Sequence, residues 1–458
     1  MNTIKFGNLL PGFLLFLYSI TSCAQKPPVY NPADRSWVKA ANDRIEKYRK
    51  ADLNIKVIDK NGKPVSNASV TIHQESSAFI FGSAVASKWL LSQNADGEKY
   101  RDIVKSHYNE VVLENDLKWN AWNNNPKSSA NMQRTLKALH WLNDNNIKVR
   151  GHYLAWAPIK SFSYYGSSLT QQQYDNPAEY KTQLLDHIRD IITQTKGLIT
   201  EWDAINHIVT THQEGQINIP FSSKKMLLPD YVGNDIYSQV FRVAREAAPD
   251  ETLFVNEQIL PSDVTQSFND TYFQKIKELQ TQGLKVGGIG FMGHFKNTTL
   301  PSINNLHGIF EQFARLNIPI KVTEFDVRFG NKNQAYKQSA AELNLQAQFT
   351  EDFLRLAFSE PAVTGVVMWG FWEGSDWYPS AALYNKDWSV KPNGESWDKL
   401  VLHEWRTNLT ANTNENGQVN ASGFLGNYTV SVKTSDGKEI KKNISLDNKG
   451  LVVTVTTN

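Results

Sequence analysis

The chain is 458 residues long, 40% hydrophobic, and carries a formal net charge of +2 with acidic and basic residues interspersed. That length accommodates one large domain with smaller attachments, and the balanced charge excludes the basic footprint that nucleic-acid binding requires. The single cysteine excludes an intramolecular disulfide framework, so the core has to come from burial, to which thirteen Trp and seventeen Tyr contribute.

Residues 1–22 read as a leader. Lys5 precedes an apolar run from Leu9 to Ile20, and small residues follow before Cys23. The run is too short to span a bilayer and has the length of a signal-peptide core. Ile20-Thr21-Ser22-Cys23 is similar to a bacterial lipobox, which implies lipidation of Cys23, a membrane anchor, and a periplasmic or cell-surface location. Cleavage after Ala24, at the small-x-small site Ser22-Cys23-Ala24, is the alternative. Residues 23–50 are expected to be a tether and a helix: Gln25 to Asp34 holds three prolines and needs no fold, and Ser36 to Lys50 is amphipathic.

Residues 51–76 and 406–458 share an all-β pattern. Leu53 to Ile58 and Ala68 to Ile72 alternate around a turn containing Asn61-Gly62, which predicts a hairpin. Tyr428 to Lys433, a turn at Asp436-Gly437, and Leu451 to Val455 repeat the pattern at the other end. Isolated hairpins are marginal in water, so the two ends are expected to pack together as a small accessory β-sandwich.

Between residues 77 and 405, eight short β-type runs alternate with helical patterns, which predicts repeated βα units closing into a (β/α)8 TIM barrel. The runs are Phe79 to Val85, Glu110 to Glu114, Lys148 to Leu154, Leu198 to Asn206, Thr252 to Asn256, Gly288 to His294, Pro319 to Phe325 and Gly365 to Trp369. Helices are expected at Met132 to Asn146, Pro177 to Thr195, Asp235 to Ala248 and Leu343 to Phe358, where apolar residues recur at three- and four-residue spacing. Polar or aromatic residues gather at the strand ends, where a parallel barrel collects its chemistry.

Two strand ends stand out: Glu201-Trp202-Asp203-Ala204-Ile205-Asn206-His207, and Val322-Thr323-Glu324-Phe325-Asp326. With Glu114-Asn115-Asp116-Leu117-Lys118-Trp119, Arg150-Gly151-His152-Tyr153-Leu154-Ala155-Trp156, Gly288 to His294, and Met368 to Trp377, they follow the order and spacing of glycoside hydrolase family 10, the xylanase family, which the chain resembles. The resemblance implies hydrolysis of a β-linked, xylan-like plant polysaccharide or oligosaccharide with retention, by a monomer without cofactor or metal. It implies that Glu324 is the nucleophile, that His294 touches it, and that Glu114, Asn115, Lys118, His152, Trp156, Asn206, Trp369 and Trp377 line the sugar cleft.

Three residues depart from the family pattern. His207 stands at the position of the acid/base glutamate, Met292 at that of a glutamine near the nucleophile, and Ala157 at that of a polar residue. Retaining enzymes place two carboxyl groups about 5 Å apart, one to attack and one to protonate the leaving oxygen. An imidazole reaches as far as a glutamate side chain and exchanges protons near neutrality, so His207 is expected to take the acid/base role. The alternatives are a cleft that binds carbohydrate without cutting it, and proton transfer by Glu257 or Glu373. Metal binding by His152, His207 and His294 ranks last. Glu201, well before its strand end, is expected to be structural.

Overall fold

Eight strands form the inner wall of the fold, and nearly every residue in them is buried, because strands covered on both faces need no polar side. The computed structural model of the protein describes residues 29–122, 131–158, 160–161, 168–169, 175–209, 227–261, 264–435 and 437–457; the leader and Cys23 lie outside them. The barrel strands are Ile80–Val85, Glu110–Leu113, Lys148–Gly151, Glu201–Asn206, Thr252–Gln258, Gly288–Lys296, Ile320–Arg328 and Val363–Met368. All pair in parallel, and the ring closes where Met368 of the eighth strand meets Ser83 of the first. The expected TIM barrel is therefore present. The third strand is shorter than expected, and pairing resumes at Ala155–Trp156 beside the fourth.

Helices Ala95–His107, Met132–Asp144, Pro177–Gln194, Ile236–Ala247, Gln266–Thr281, Ile303–Ala314 and Ala340–Ser359 lie between consecutive strands. Their starts are set by side-chain caps, which satisfy amide donors that the first turn leaves unpaired. Asn94, Asn131, Thr265 and Ser302 each accept from the backbone three residues on. Ser339 and Glu342 form a reciprocal capping box. Helix Ile236–Ala247 buries Ile236, Tyr237, Val240, Phe241 and Ala244, the three- and four-residue spacing that turns one face to the barrel.

Low in the barrel the side chains are charged rather than apolar. Lys321 Nζ donates to Glu110 and to Glu201, both at 2.7 Å, and Arg150 pairs with Glu201 and Asp203. Phe254 packs on the Arg150 guanidinium at 4.4 Å. Burial opposes the ionised form of Glu201, but Lys321 and Arg150 outweigh it and hold this carboxyl below its usual range. The structural role expected for Glu201 is thus an ion layer beneath the site.

The N-terminal helix is Val38–Arg49, and Trp37, Ala41 and Ile45 join the barrel's apolar core. Arg44 pairs with Glu360, and Arg49 donates to the carbonyls of Phe358, Glu360 and Val363. The segment read as a free tether is docked from Val29 onward. Tyr30 N donates to Leu300 O at 2.8 Å, its hydroxyl donates to Asp352 at 2.7 Å, and its ring meets Phe349 edge-on. An aromatic ring with a buried partner for its hydroxyl anchors the segment, which the prolines do not prevent.

The two chain ends form two facing sheets. One holds Gln418–Phe424, Lys50–Asp59 and Leu451–Thr457; the other holds Asn408–Asn412, Ser69–Ser77, Gly426–Lys433 and Glu439–Leu446. Leu53, Ile55, Val57, Val70, Ile72, Val430, Val432 and Val453 fill the space between. The predicted hairpin around Asn61-Gly62 is not formed: Lys50–Asp59 and Ser69–Ser77 lie in different sheets. Both strands alternate correctly, but facing each other across a core buries both apolar sides, which side-by-side pairing does not achieve. The polar strands Glu439–Leu446 and Asn408–Asn412 carried too little apolar alternation to be read from sequence.

Candidate active site

The C-terminal ends of the barrel strands bring most of the sequence-predicted residues together. Glu324, on the seventh strand, is buried, and each of its carboxylate oxygens has a partner. Oε1 accepts from Asn256 Nδ2 at 3.0 Å, and Oε2 lies 2.9 Å from His294 Nε2. His294 Nδ1 is 2.8 Å from Asp326 Oδ2, which also accepts from Trp377 Nε1 at 3.1 Å. The sixth and seventh strands pair so that His294 faces Asp326 and Met292 faces Glu324, which is how adjacent strands deliver this chain of groups.

The electrostatics keep Glu324 anionic. Burial alone would raise its pKa, but the His294 hydrogen bond and the fields of His152, His294 and His207 bring it down to about 2. His294 is affected in the opposite sense: burial disfavours its cation, and Asp326 with Glu324 raises it to about 9. A buried carboxylate held ionised beside an imidazolium has the charge state that nucleophilic attack requires.

His152, after the third strand, is set from below. Its Nδ1 lies 2.8 Å from Asp203 Oδ2, and the other oxygen of Asp203 is held by Arg150. The Trp369 ring meets His152 edge-on at 5.2 Å and His294 at 6.0 Å, so one indole spans both histidines. Trp377 packs on His294 at 5.0 Å, and Arg328 lies over its ring. Glu114, Asn115 and Lys118 follow the second strand; Lys118 Nζ donates to Asn115 Oδ1 at 2.8 Å, and burial lowers its pKa against the pull of Glu114 and Glu324.

Asn206 ends the fourth strand and His207 follows it. Asn206 Oδ1 accepts from the same Asn256 Nδ2 that reaches Glu324, at 3.0 Å. His207 adopts a left-handed backbone (φ 61°), uncommon for a residue other than glycine and the kind of local strain found at functional sites. Its ring sits edge-on to Trp156 at 4.6 Å, and its Nδ1 is 3.0 Å from Glu257 Oε1.

The roles of three contributors differ from the sequence reading, in which Glu257 stood as an alternative proton donor and Asn256 and Asp203 had no assigned part. Asn256 bridges Asn206 and Glu324, Asp203 orients His152, and Glu257 meets His207; the strand end Asn256-Glu257, in register with Asn206, was the available signal. Both alternative carboxylates also accept from backbone amides. Glu257 accepts from the amides of Val209 and Gln258, and Glu373 accepts from Lys386 N in the loop after the eighth strand.

A closed (β/α)8 barrel whose rim holds a buried, ionised carboxylate among tryptophans and histidines has the design of a carbohydrate-active barrel. The chain belongs to glycosyl hydrolase family 10: residues 71–397 match that family. It is 30% identical over 433 residues to the anti-sigma-I factor RsgI6 of Acetivibrio thermocellus, covering 94% of this chain and 51% of that protein. With endo-1,4-beta-xylanase 1 of Arabidopsis thaliana it shares 26% over 418 residues, 91% of this chain and 40% of the relative. The chain thus spans about half the length, or less, of these curated relatives. The structure of xylanase 10B from Thermotoga petrophila in complex with xylobiose superposes with a TM-score of 0.58 at 23% identity, covering 71% of this chain and 95% of that one. Native xylanase 10B from Thermotoga maritima gives 0.58 at 24% identity, over 71% and 96%. At these identities the structural likeness speaks for the barrel alone.

Proposed function

We propose that the protein is a retaining hydrolase of β-linked, xylan-like polysaccharide or oligosaccharide, with Glu324 as nucleophile and His207 as acid/base. The observation that carries this reading is the chain Asp326–His294–Glu324–Asn256, which holds the Glu324 carboxylate ionised among the strand ends. Glu324 attacks the anomeric carbon as His207 gives its Nε2 proton to the departing oxygen. Water then breaks the glycosyl ester while the neutral ring takes a proton back. Glu114, Asn115, Lys118, His152, Trp156, Asn206, Trp369 and Trp377 grip the sugars on either side. In this reading Cys23 is acylated and tethers a monomer to the membrane at the periplasmic or cell surface.

A second reading is a carbohydrate-binding protein that keeps the cleft without turnover. It is favoured by the cluster of departures, His207, Met292 and Ala157, around an otherwise complete site. The similarity to a protein named as an anti-sigma factor supports it as well. Release of reducing ends from β-linked polysaccharides decides between the two. The hydrolase reading expects turnover in the wild type, and in His207→Ala a loss of roughly 10²–10⁴-fold on natural sugars but a smaller one on activated aryl glycosides. The binding reading expects no turnover on either, retained oligosaccharide binding, and a gain of xylanase activity in His207→Glu.

A further inference from the structure

We infer that Glu257 is the positioning residue that fits His207 for proton transfer, an inference that rests on the acid/base reading of His207. The side chain of Glu257 is fully buried at the end of the fifth strand, one position beyond Asn256. Its Oε2 accepts from Val209 N at 2.8 Å, and its Oε1 accepts from Gln258 N at 2.9 Å. Backbone amides can only donate, so both oxygens are acceptors. The third contact, His207 Nδ1 at 3.0 Å from the same Oε1, then has the ring nitrogen as donor.

This fixes the tautomer. With the proton of the neutral ring on Nδ1, the basic lone pair is on Nε2, the nitrogen turned away from Glu257. When the ring is protonated, the exchangeable proton is on Nε2 as well. A carboxylate behind Nδ1 orients the ring and stabilises the imidazolium without taking the proton itself, as in hydrolytic triads. Trp156, edge-on at 4.6 Å, blocks ring rotation from the third-strand side. The left-handed backbone of His207 brings its amide to Asn256 O at 2.9 Å, tying the ring's origin to the strand that carries Glu257.

The titratable groups around this pair come from every neighbouring element. Glu324 on the seventh strand senses the His207 charge directly and carries His294 and His152 beside it; Tyr237, on helix Ile236–Ala247, and Tyr272, on helix Gln266–Thr281, sense Glu257 from behind. Of these, Glu257 is the anion in hydrogen-bond contact with the ring, so its removal acts on His207 first.

The test uses Glu257→Gln and Glu257→Asp in the full chain. In Glu257→Gln, kcat/KM on substrates with poor leaving groups is expected to fall on the order of 10²-fold, with a smaller loss on aryl glycosides and KM little changed. Glu257→Asp, which keeps a carboxylate behind Nδ1, restores the rate in part. Nitrogen-15 histidine spectra of the wild type should show neutral His207 with its proton on Nδ1, a measurement that stands even where Glu257→Gln fails to fold. An Nε2–H tautomer, or an unchanged rate in Glu257→Gln alongside a leaving-group-selective loss in His207→Ala, overturns the role of Glu257 and leaves the acid/base reading intact. Equal losses in His207→Ala across leaving groups, or a wild type without turnover, overturn both.

Discussion

A Cβ on Gly290 would lie 2.3 Å from Oδ1 of Asn256, so the sixth strand leaves open the space that the fifth-strand amide fills. Asn256 in turn donates to Glu324 and Asn206. Gly290→Ala is therefore expected to displace the amide, with a stability loss of about 1–3 kcal/mol from overpacking and a fall in kcat of about tenfold or more. Gly308, on the exposed face of helix Ile303–Ala314 with nothing within 4 Å of its would-be Cβ, is the control. Gly308→Ala should stabilise by about 0.5–1 kcal/mol and leave turnover alone, as thermal denaturation and steady-state rates will report.

Glu324→Ala removes the group to which a glycosyl intermediate would bond. Turnover of natural and activated substrates alike is expected to vanish while circular dichroism stays native. Added azide or formate should restore cleavage of activated substrates, and a rate equal to wild type without them would place the nucleophile elsewhere.

His294 and Glu324 make stability depend on pH in opposite directions. Glu324, held at about 2 against an ordinary value of 4.5, contributes stability that is complete above 4.5 and lost as pH falls through about 2. His294, raised to about 9 from 6.5, contributes stability that is complete below 6.5 and lost as pH rises through about 9. Urea denaturation across pH 6.5 to 9 should show a decline of up to about 3 kcal/mol that His294→Gln abolishes. In the same variant the acid limb of kcat/KM should move to higher pH, because Glu324 loses the donor that keeps it ionised.

Asp203 serves Arg150 with one oxygen and His152 with the other, wholly inside the barrel. Asp203→Asn leaves a buried guanidinium short of one of its two anionic partners and frees the His152 ring. A destabilisation of about 3 kcal/mol is expected, and calorimetry measures it directly.

The lipid anchor is testable apart from the chemistry. Full-length protein expressed in a bacterium should partition with membranes, and Cys23→Ser should release it to the soluble fraction. An unchanged membrane fraction would rule out the anchor.

The barrel was legible because its strands are buried on both sides and its helices keep a regular apolar spacing; most predicted boundaries lie within a few residues of those observed. Glu324, His294 and Trp377 were legible as motif positions, though Asp326 as the group joining two of them was not. What escaped was pairing. Nothing in the alternation of Leu53, Ile55 and Val57 says whether Val70 and Ile72 will lie beside them or across a core from them. Likewise His207 and Glu257 are 50 residues apart, and their contact depends on the register of the fourth and fifth strands, set by hydrogen bonds that side-chain pattern does not encode. The buried charges Glu110, Arg150 and Lys321 read as ordinary polar residues within strands until the barrel interior gathered them into one layer.

The parallel pairing of Lys50–Asp59 with Leu451–Thr457 imposes a schedule on synthesis. Ile58 O is reached by Thr457 Oγ1 from 399 residues further along the chain. At translation rates of about 5–20 residues per second, the early strand leaves the ribosome on the order of 20–80 s before that neighbour exists. All eight barrel strands are made in the interval, while Leu53, Ile55 and Val57 wait on an open edge of the kind that other chains can pair with. A stop codon just before Leu451 would therefore yield a chain with every barrel element translated and a sticky, unfinished border, whose fate is set by chaperones and proteases.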